Sequence, residues 1–316
     1  MDSSSHIYDA PPAGANADWT VPQNWDAFGA DEHAMWDRLF ARQTAMLPGR
    51  AADAFMRGID VLKLTRPGIP DYRELNARLM AATGWQIVAV PGLVPDDVFF
   101  DHLANRRFPA GNFIRTPEQL DYLQEPDVFH DVFGHVPMLA DPVFADYMVA
   151  YGKGGLRSLG FGALDHLARL YWYTVEFGLI QQADGLRIYG AGIVSSYAES
   201  IFALEDPSPN RIAFDLLRVM RSHYRIDDFQ QTYFVVTSTE QLLKVTVETD
   251  FAPLYGRLES WSDILVGEII AEDALITKGT QAYFKGAVAT KFRNHPAADW
   301  CGLMGAAGVS SHRSGA

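Results

Sequence analysis

Apolar residues recur at steps of three and four through most of the chain, and this spacing predicts helices over about 31–47 (DEHAMWDRLFARQTAML), 51–64 (AADAFMRGIDVLKL) and 71–84 (DYRELNARLMAATG). Gly84 suits the end of the third, where the chain commonly turns left-handed. Short strand-like runs are expected at Trp85–Val90, Gly185–Tyr189 and Thr232–Thr237. Ser238 and Gln241 then have the spacing of a capping box, which predicts a helix from Thr239. Gly152-Lys153-Gly154-Gly155 lacks the Lys-Ser/Thr ending of a phosphate-binding loop and reads as a flexible turn before the next helix. Residues 1–20, and those from Ala306 onward, show no periodicity and read as mobile ends. The expected fold is mainly α with a small β component.

Composition narrows the classes. Among 316 residues, 48% are hydrophobic and 21% charged, values of a globular chain with enough apolar material for a large core. Lys and Arg total 26 against 39 Asp and Glu, a formal net charge of -13, which repels nucleic-acid backbones and anionic lipid surfaces. The start carries no basic, apolar leader, and no apolar run reaches the roughly 18 residues of a membrane span. A cytoplasmic protein without nucleic-acid or membrane partners is expected. Cys301 is the single cysteine, so an intrachain disulfide and a multi-cysteine metal site are excluded. Any metal must be held by His, Asp and Glu.

The densest chemical signal is EPDVFHDVFGHVP, residues 125–137. Pro126 fits a first helical position, so a short helix is predicted from there; Gly134 and Pro137 should end it near His135. His130 and His135 are five apart, and on a straight α-helix such a pair points about 140° apart. A backbone turn at Gly134 and Pro137 would swing His135 back; two unrelated helix-end histidines is the competing reading. The apolar segment LDHLARLYWYTVEFGLI, residues 164–180, reads as helical and contains Glu176, its one acid after Asp165. A carboxylate in such surroundings needs a cation, a donor or a proton. A divalent ion meets that need, and so does a salt bridge to Arg115 or Arg169. Two imidazoles and a carboxylate suit Fe(II) with an open face, or zinc with a water; ligand types alone leave both. The zinc-protease pattern HExxH is absent. Tyr189-Gly190-Ala191-Gly192 has Ser195 where a dinucleotide fingerprint needs glycine, and reads as a close-approach loop lining a pocket.

EPDVFHDVFGHVP, YWYTVEFGL and RIYGAGIVSS, in this order, resemble the pterin-dependent aromatic amino acid hydroxylases, and within them the short prokaryotic phenylalanine 4-hydroxylases. The similarity runs from about Trp19 to Tyr255. It implies the aromatic amino acid hydroxylase catalytic-domain fold over 21–256, preceded by a flexible arm (1–20) and followed by a C-terminal extension (257–316) without an assigned role. The implied reaction is hydroxylation of L-phenylalanine to L-tyrosine, the first step of phenylalanine catabolism, with O2 and tetrahydrobiopterin or a related reduced pterin at non-haem Fe(II).

The resemblance makes His130, His135 and Glu176 the iron ligands and catalytic centre. It places the substrate carboxylate on Arg115, held by Asp127, with Tyr122, Pro126, Trp172, Phe177, Gly192 and Ser195 around the amino acid. The pterin is expected to stack on Phe99, lie along Gly92, Leu93 and Val94, touch Ala168 and approach Asp131. Leu123 stands where animal members carry Thr, and Asp131 where they carry Glu. With neither an N-terminal regulatory domain nor a long C-terminal heptad helix in the sequence, a monomer or weak dimer without substrate activation is expected. Tryptophan or tyrosine hydroxylation, a binding protein that has lost turnover, and a zinc hydrolase are the alternative readings.

Overall fold

The structure, a computed structural model, describes residues 10–121, 123 and 125–284. The predicted helices appear as α1 (Ala30–Met46), α2 (Asp53–Leu62) and α3 (Tyr72–Thr83). Asp71 caps α3 by accepting from the Arg73 N–H, and Gly84 ends it at φ 75°, a left-handed turn that costs glycine nothing. A small βαβ unit follows: β1 (Gln86–Val90), α4 (Asp96–Ala104) and β2 (Arg107–Gly111), with β1 and β2 parallel and Val90 opposite Gly111. Asn76 of α3 satisfies both backbone groups of Ile87 on the exposed edge of β1, at 2.9 and 2.6 Å. The strand ends Val90 and Gly111 therefore come side by side, and both open onto the cavity described below.

The next stretch departs from expectation. A π-helix spans Phe129–His135 and runs directly into α5 (Val136–Leu139). It starts later than Pro126 because the Val128 N–H is engaged by the Phe113 carbonyl, and because the Asp127 carboxylate takes the His130 N–H. It does not stop at His135, since Pro137 falls in the first turn of α5, where no helical donor is needed. Helix α6 (Pro142–Leu159) is capped by Asp141 and contains Gly152, Gly154 and Gly155, which are not a turn. Gly152 and Gly155 let α6 lie against α4: a Cβ at Gly152 would come within 2.5 Å of the Ala104 nitrogen, and one at Gly155 within 2.1 Å of the Phe100 ring.

Helix α7 (Leu164–Tyr171) also passes into a π-helix, Trp172–Glu176. The chain leaves helical geometry there and enters β3 (Leu179–Gln182), so the segment expected to be helical through Ile180 ends four residues early. β3 forms a hairpin with β4 (Gly185–Ile188), and α8 (Ala191–Val194) and α9 (Tyr197–Glu205) follow. The remaining elements are β5 (Asn210–Ala213), α10 (Leu216–Met220), β6 (Thr232–Val236), α11 (Thr239–Glu248), α12 (Phe251–Ser260) and β7 (Leu275–Thr277). The second sheet has the order β4-β3-β6-β5-β7, with β3, β6 and β5 mutually parallel. β7 pairs antiparallel with β5, so part of the segment after 256 completes this sheet. Ser238 caps α11 by accepting from Gln241 N–H, but the Gln241 side chain turns to Thr237, leaving only half of the expected box. Of the two ends expected to be mobile, residues 1–9 and all of 306–316 lie outside the described residues, whereas Trp19 is buried.

Candidate metal centre and adjoining pockets

The first π-helix is held by its aromatic face. Phe129 and Phe133 stack at 4.7 Å; Trp36 and Phe40 of α1 and Phe55 of α2 meet them edge-on. A π-helix closes its backbone rings over five residues rather than four, so residues five apart project from the same face. That is the spacing of His130 and His135. Their Nε2 atoms are 3.3 Å apart, and the turn that was expected from Gly134 and Pro137 is supplied by π geometry instead.

The second π-helix brings Glu176 to the same point. Its Oε1 lies 3.1 Å from His135 Nε2 and its Oε2 lies 3.6 Å from His130 Nε2. The π-turn is fixed on both flanks, since Tyr147 hydroxyl bonds Thr174 and Tyr173 hydroxyl donates to the His223 carbonyl. Neither competing arginine reaches Glu176: Arg115 is bound to Asp127 and Arg169 to Asp263. Gly190 lets the chain entering α8 press against the Glu176 backbone, where a Cβ would lie 2.4 Å from the Glu176 carbonyl oxygen, and a Cβ at Gly192 would lie 2.9 Å from the Phe177 ring.

Protonation follows from the hydrogen bonds. Ser195 Oγ has one proton and gives it to the Ala191 carbonyl at 2.7 Å, so at 3.0 Å from His130 Nδ1 it can only accept. His130 therefore carries its proton on Nδ1 and turns the bare lone pair of Nε2 toward Glu176 and His135. Burial, with the neighbouring His135, pushes the His130 imidazole down to about 4, against the pull of Glu176. Burial opposes charge on Glu176, yet His135 and His130 hold it below the ordinary carboxylate range.

Three donors 3.1 to 3.6 Å apart match one face of an octahedral ion, whose cis ligands at about 2.1 Å lie about 3 Å from each other. A lone pair facing a carboxylate and a second imidazole is a poor arrangement without a cation, so the site fits a divalent metal. Asp131 offers a second carboxylate near the two histidines, within 4.8 Å. Its Oδ2, however, is engaged by the Gly111 N–H at 2.7 Å, and burial raises its carboxyl to about 7. Glu176, with an oxygen toward each imidazole, is the better third donor.

The cavity beside the histidines is lined by Gly92, Leu93, Val94, Phe99, Pro126 and Asp131, all singled out from the sequence, together with Glu125, Phe108, Pro109 and Tyr171, which were not. Phe108 and Tyr171 flank the His135 ring at 4.8 and 6.3 Å, and no local signal marks them apart from core aromatics. Ala168 is buried in α7 and is not among the lining residues. Arg115 clasps Asp127 through Nε and Nη2, both at 2.8 Å, with the carboxylate wholly buried. Asp127 also accepts from the His130 N–H, so one carboxylate ties the guanidinium to the histidine turn. Trp172 meets Phe177 at 4.6 Å and stacks on Tyr224 at 4.5 Å, a partner that the sequence did not suggest. Tyr122 lies outside the described residues.

The profile of the family described as biopterin-dependent aromatic amino acid hydroxylase matches residues 23–251. The chain is 66% identical over 281 residues to a phenylalanine-4-hydroxylase of Caulobacter vibrioides, covering 89% of this chain and 95% of that one. It is 58% identical over 262 residues to that of Chromobacterium violaceum, covering 83% of this chain and 88% of that one. A crystal structure of the Chromobacterium violaceum phenylalanine hydroxylase bound to cobalt superposes with a TM-score of 0.81 at 57% identity, covering 83% of this chain and 95% of that chain. With two π-turns that converge two histidines and a glutamate inside this fold, the chain belongs to the biopterin-dependent aromatic amino acid hydroxylases.

Proposed function

We propose that this protein hydroxylates L-phenylalanine to L-tyrosine with O2 and a reduced pterin, and that His130, His135 and Glu176 hold its Fe(II). One observation carries the reading: Ser195 forces the His130 lone pair into a triangle completed by His135 and Glu176. Fe(II), O2 and the reduced pterin supply the oxygen transfer when bound, and the chain supplies ligation, positioning and exclusion of water.

Arg115 is the anchor for the substrate carboxylate. With Nε and one hydrogen of Nη2 spent on Asp127 and one hydrogen of Nη1 directed at the Leu120 carbonyl, one hydrogen on each Nη is left to grip a second carboxylate. Trp172, Phe177, Pro126, Gly192 and Ser195, with Tyr122, are the proposed surroundings of the substrate ring and backbone. On the other side, Phe99 offers an aromatic face for the pterin, while Gly92, Leu93 and Val94 offer a backbone edge. Asp131 sits there as a carboxyl that burial keeps ready to hold a proton near neutrality, and Ala168, buried in α7, is the remaining proposed pterin contact.

The acidic net charge supports a monomer or weak dimer without nucleic-acid or anionic-membrane partners; its proposed place is the cytoplasm, and the reaction fits the entry to phenylalanine breakdown. Among the described residues no helix is long and apolar enough to cross a membrane. The test is tyrosine release from phenylalanine with Fe(II), reduced pterin and air, against controls that omit each. Tyrosine formation only in the complete mixture supports the reading; activity that survives without air and pterin overturns it. Glu176→Ala should weaken Fe(II) binding or consume pterin without forming tyrosine, and full coupled activity in that variant would remove Glu176 from the ligand set.

A further inference from the structure

Trp172 is held from its far edge by a polar relay that lies outside the metal centre. Its indole N–H donates to Gln230 Oε1 at 3.1 Å. This is not a general requirement of the fold, because the fully buried indoles of Trp36 and Trp85 have no acceptor. The orientation of the Gln230 amide is forced. Oε1 also accepts from the Arg225 N–H at 3.2 Å, and Nε2 donates to the Arg225 carbonyl at 2.5 Å, so a flipped amide would set donor against donor. The backbone behind it is pinned as well: the Gln230 N–H donates to Glu199 Oε1 at 3.2 Å, and the Tyr233 hydroxyl donates to the same oxygen. Gln230 and Glu199 are buried, at 2% and 6% exposure, and solvent cannot replace either group.

We propose that Gln230 is a positioning residue for substrate selection, its side-chain carbonyl setting the rotamer of Trp172 while Glu199 holds Gln230 in place. The inference rests on Trp172 being a wall of the substrate pocket. An indole turned over about its ring bond would lose this acceptor and present its other edge to Phe177 and to the substrate ring. Stacking on Tyr224 defines the plane of the indole, and the hydrogen bond to Gln230 defines which edge faces inward. Glu199 stands four residues after Ser195, so one short segment steadies both the His130 ligand and this pocket wall.

The experiment uses the full chain loaded with Fe(II), as Gln230→Leu and Gln230→Glu, each alone and combined with Trp172→Phe. Leucine removes the acceptor at similar volume; a protonated glutamate can replace both ends of the amide. Gln230→Leu is expected to raise KM for L-phenylalanine about 3- to 10-fold, the worth of one hydrogen bond, with kcat within about twofold. Gln230→Glu should restore most of KM, and Gln230→Leu should add nothing once Trp172 is Phe. A second readout needs no turnover: the fluorescence that disappears with Trp172→Phe should shift in Gln230→Leu and return in Gln230→Glu. An unchanged KM, or a rise that persists in the Trp172→Phe background, overturns the proposal. Failure of the pocket reading looks different, since Trp172→Phe would then leave KM unchanged while the fluorescence arm still reports the link to Gln230.

Discussion

Ser195 Oγ accepts a hydrogen bond from His130 Nδ1 at 3.0 Å while donating one to the Ala191 carbonyl at 2.7 Å, and this single hydroxyl sets which imidazole nitrogen faces Glu176. Removing an outer hydrogen bond of this kind commonly costs about 10- to 100-fold in metal affinity. Ser195→Ala is accordingly expected to weaken Fe(II) binding by that order and to leave the fold intact. Fe(II) titration followed by a thermal melt checks both, and wild-type affinity in the variant would show that the bond does not orient the ring.

Arg115→Ala separates binding from ligation. KM for phenylalanine should rise far more than iron content falls, because no ligand is touched. The variant should also lose about 3–5 kcal/mol of stability, since Asp127 is wholly buried and would be left without its cation. Urea unfolding, KM and iron stoichiometry on the same preparation test this, and a variant that lost its iron yet bound substrate normally would contradict the assignment.

A pH prediction follows from Glu199. Burial raises its carboxyl from an ordinary 4.5 to about 7, although Tyr233 and the Gln230 N–H pull the other way. Between those values the folded chain keeps a proton that the unfolded chain has released, so this group makes stability fall as pH rises through the window and stay lower above it. Glu199→Gln keeps the acceptor and removes the titration. Relative to wild type it should gain about 1–3 kcal/mol between about pH 5 and about pH 8, measured by denaturant unfolding. Parallel pH profiles in the two proteins would place the titration elsewhere.

Gly155→Ala tests how α4 is seated. The added methyl would meet the Phe100 ring at 2.1 Å, and relief requires α4 or the ring to shift. Overpacking of this kind costs about 1–3 kcal/mol. Phe99 is the neighbour of Phe100 and lines the proposed pterin cavity, so the KM for pterin should rise with the loss in Tm. An alanine variant with unchanged Tm and pterin KM would show that the contact relaxes freely.

The helices 31–47, 51–64 and 71–84 and the first strand were legible because local periodicity and caps specify them: Asp71 and Gly84 bracket α3 as their chemistry dictates. Gly152 and Gly155 misled because glycine has two uses. Locally it reads as a turn, but in the fold it clears room for a crossing helix, and nothing in the neighbouring residues distinguishes them. The end of the Glu176 segment misled for a related reason, since an apolar run suits a buried helix and a buried strand alike.

By itself, the sequence determined the chemical inventory: two imidazoles in one acidic, proline-bounded motif, a carboxylate in an apolar run, a guanidinium for a carboxylate ligand and no cysteine set to compete for metal. Spacing could not bring the histidines together, because a five-residue step diverges on an α-helix. Tertiary packing decided that. Phe129 and Phe133 stack in a core built by α1 and α2, and this goes with the wider turn that brings His130 and His135 to the same face. Contacts between residues remote in the chain, Tyr147 with Thr174 and Gln230 with Trp172, hold the second turn in place. Hydrogen bonds and packing between distant segments leave no periodic trace in the chain, which is why the ligand types were readable and their convergence was not.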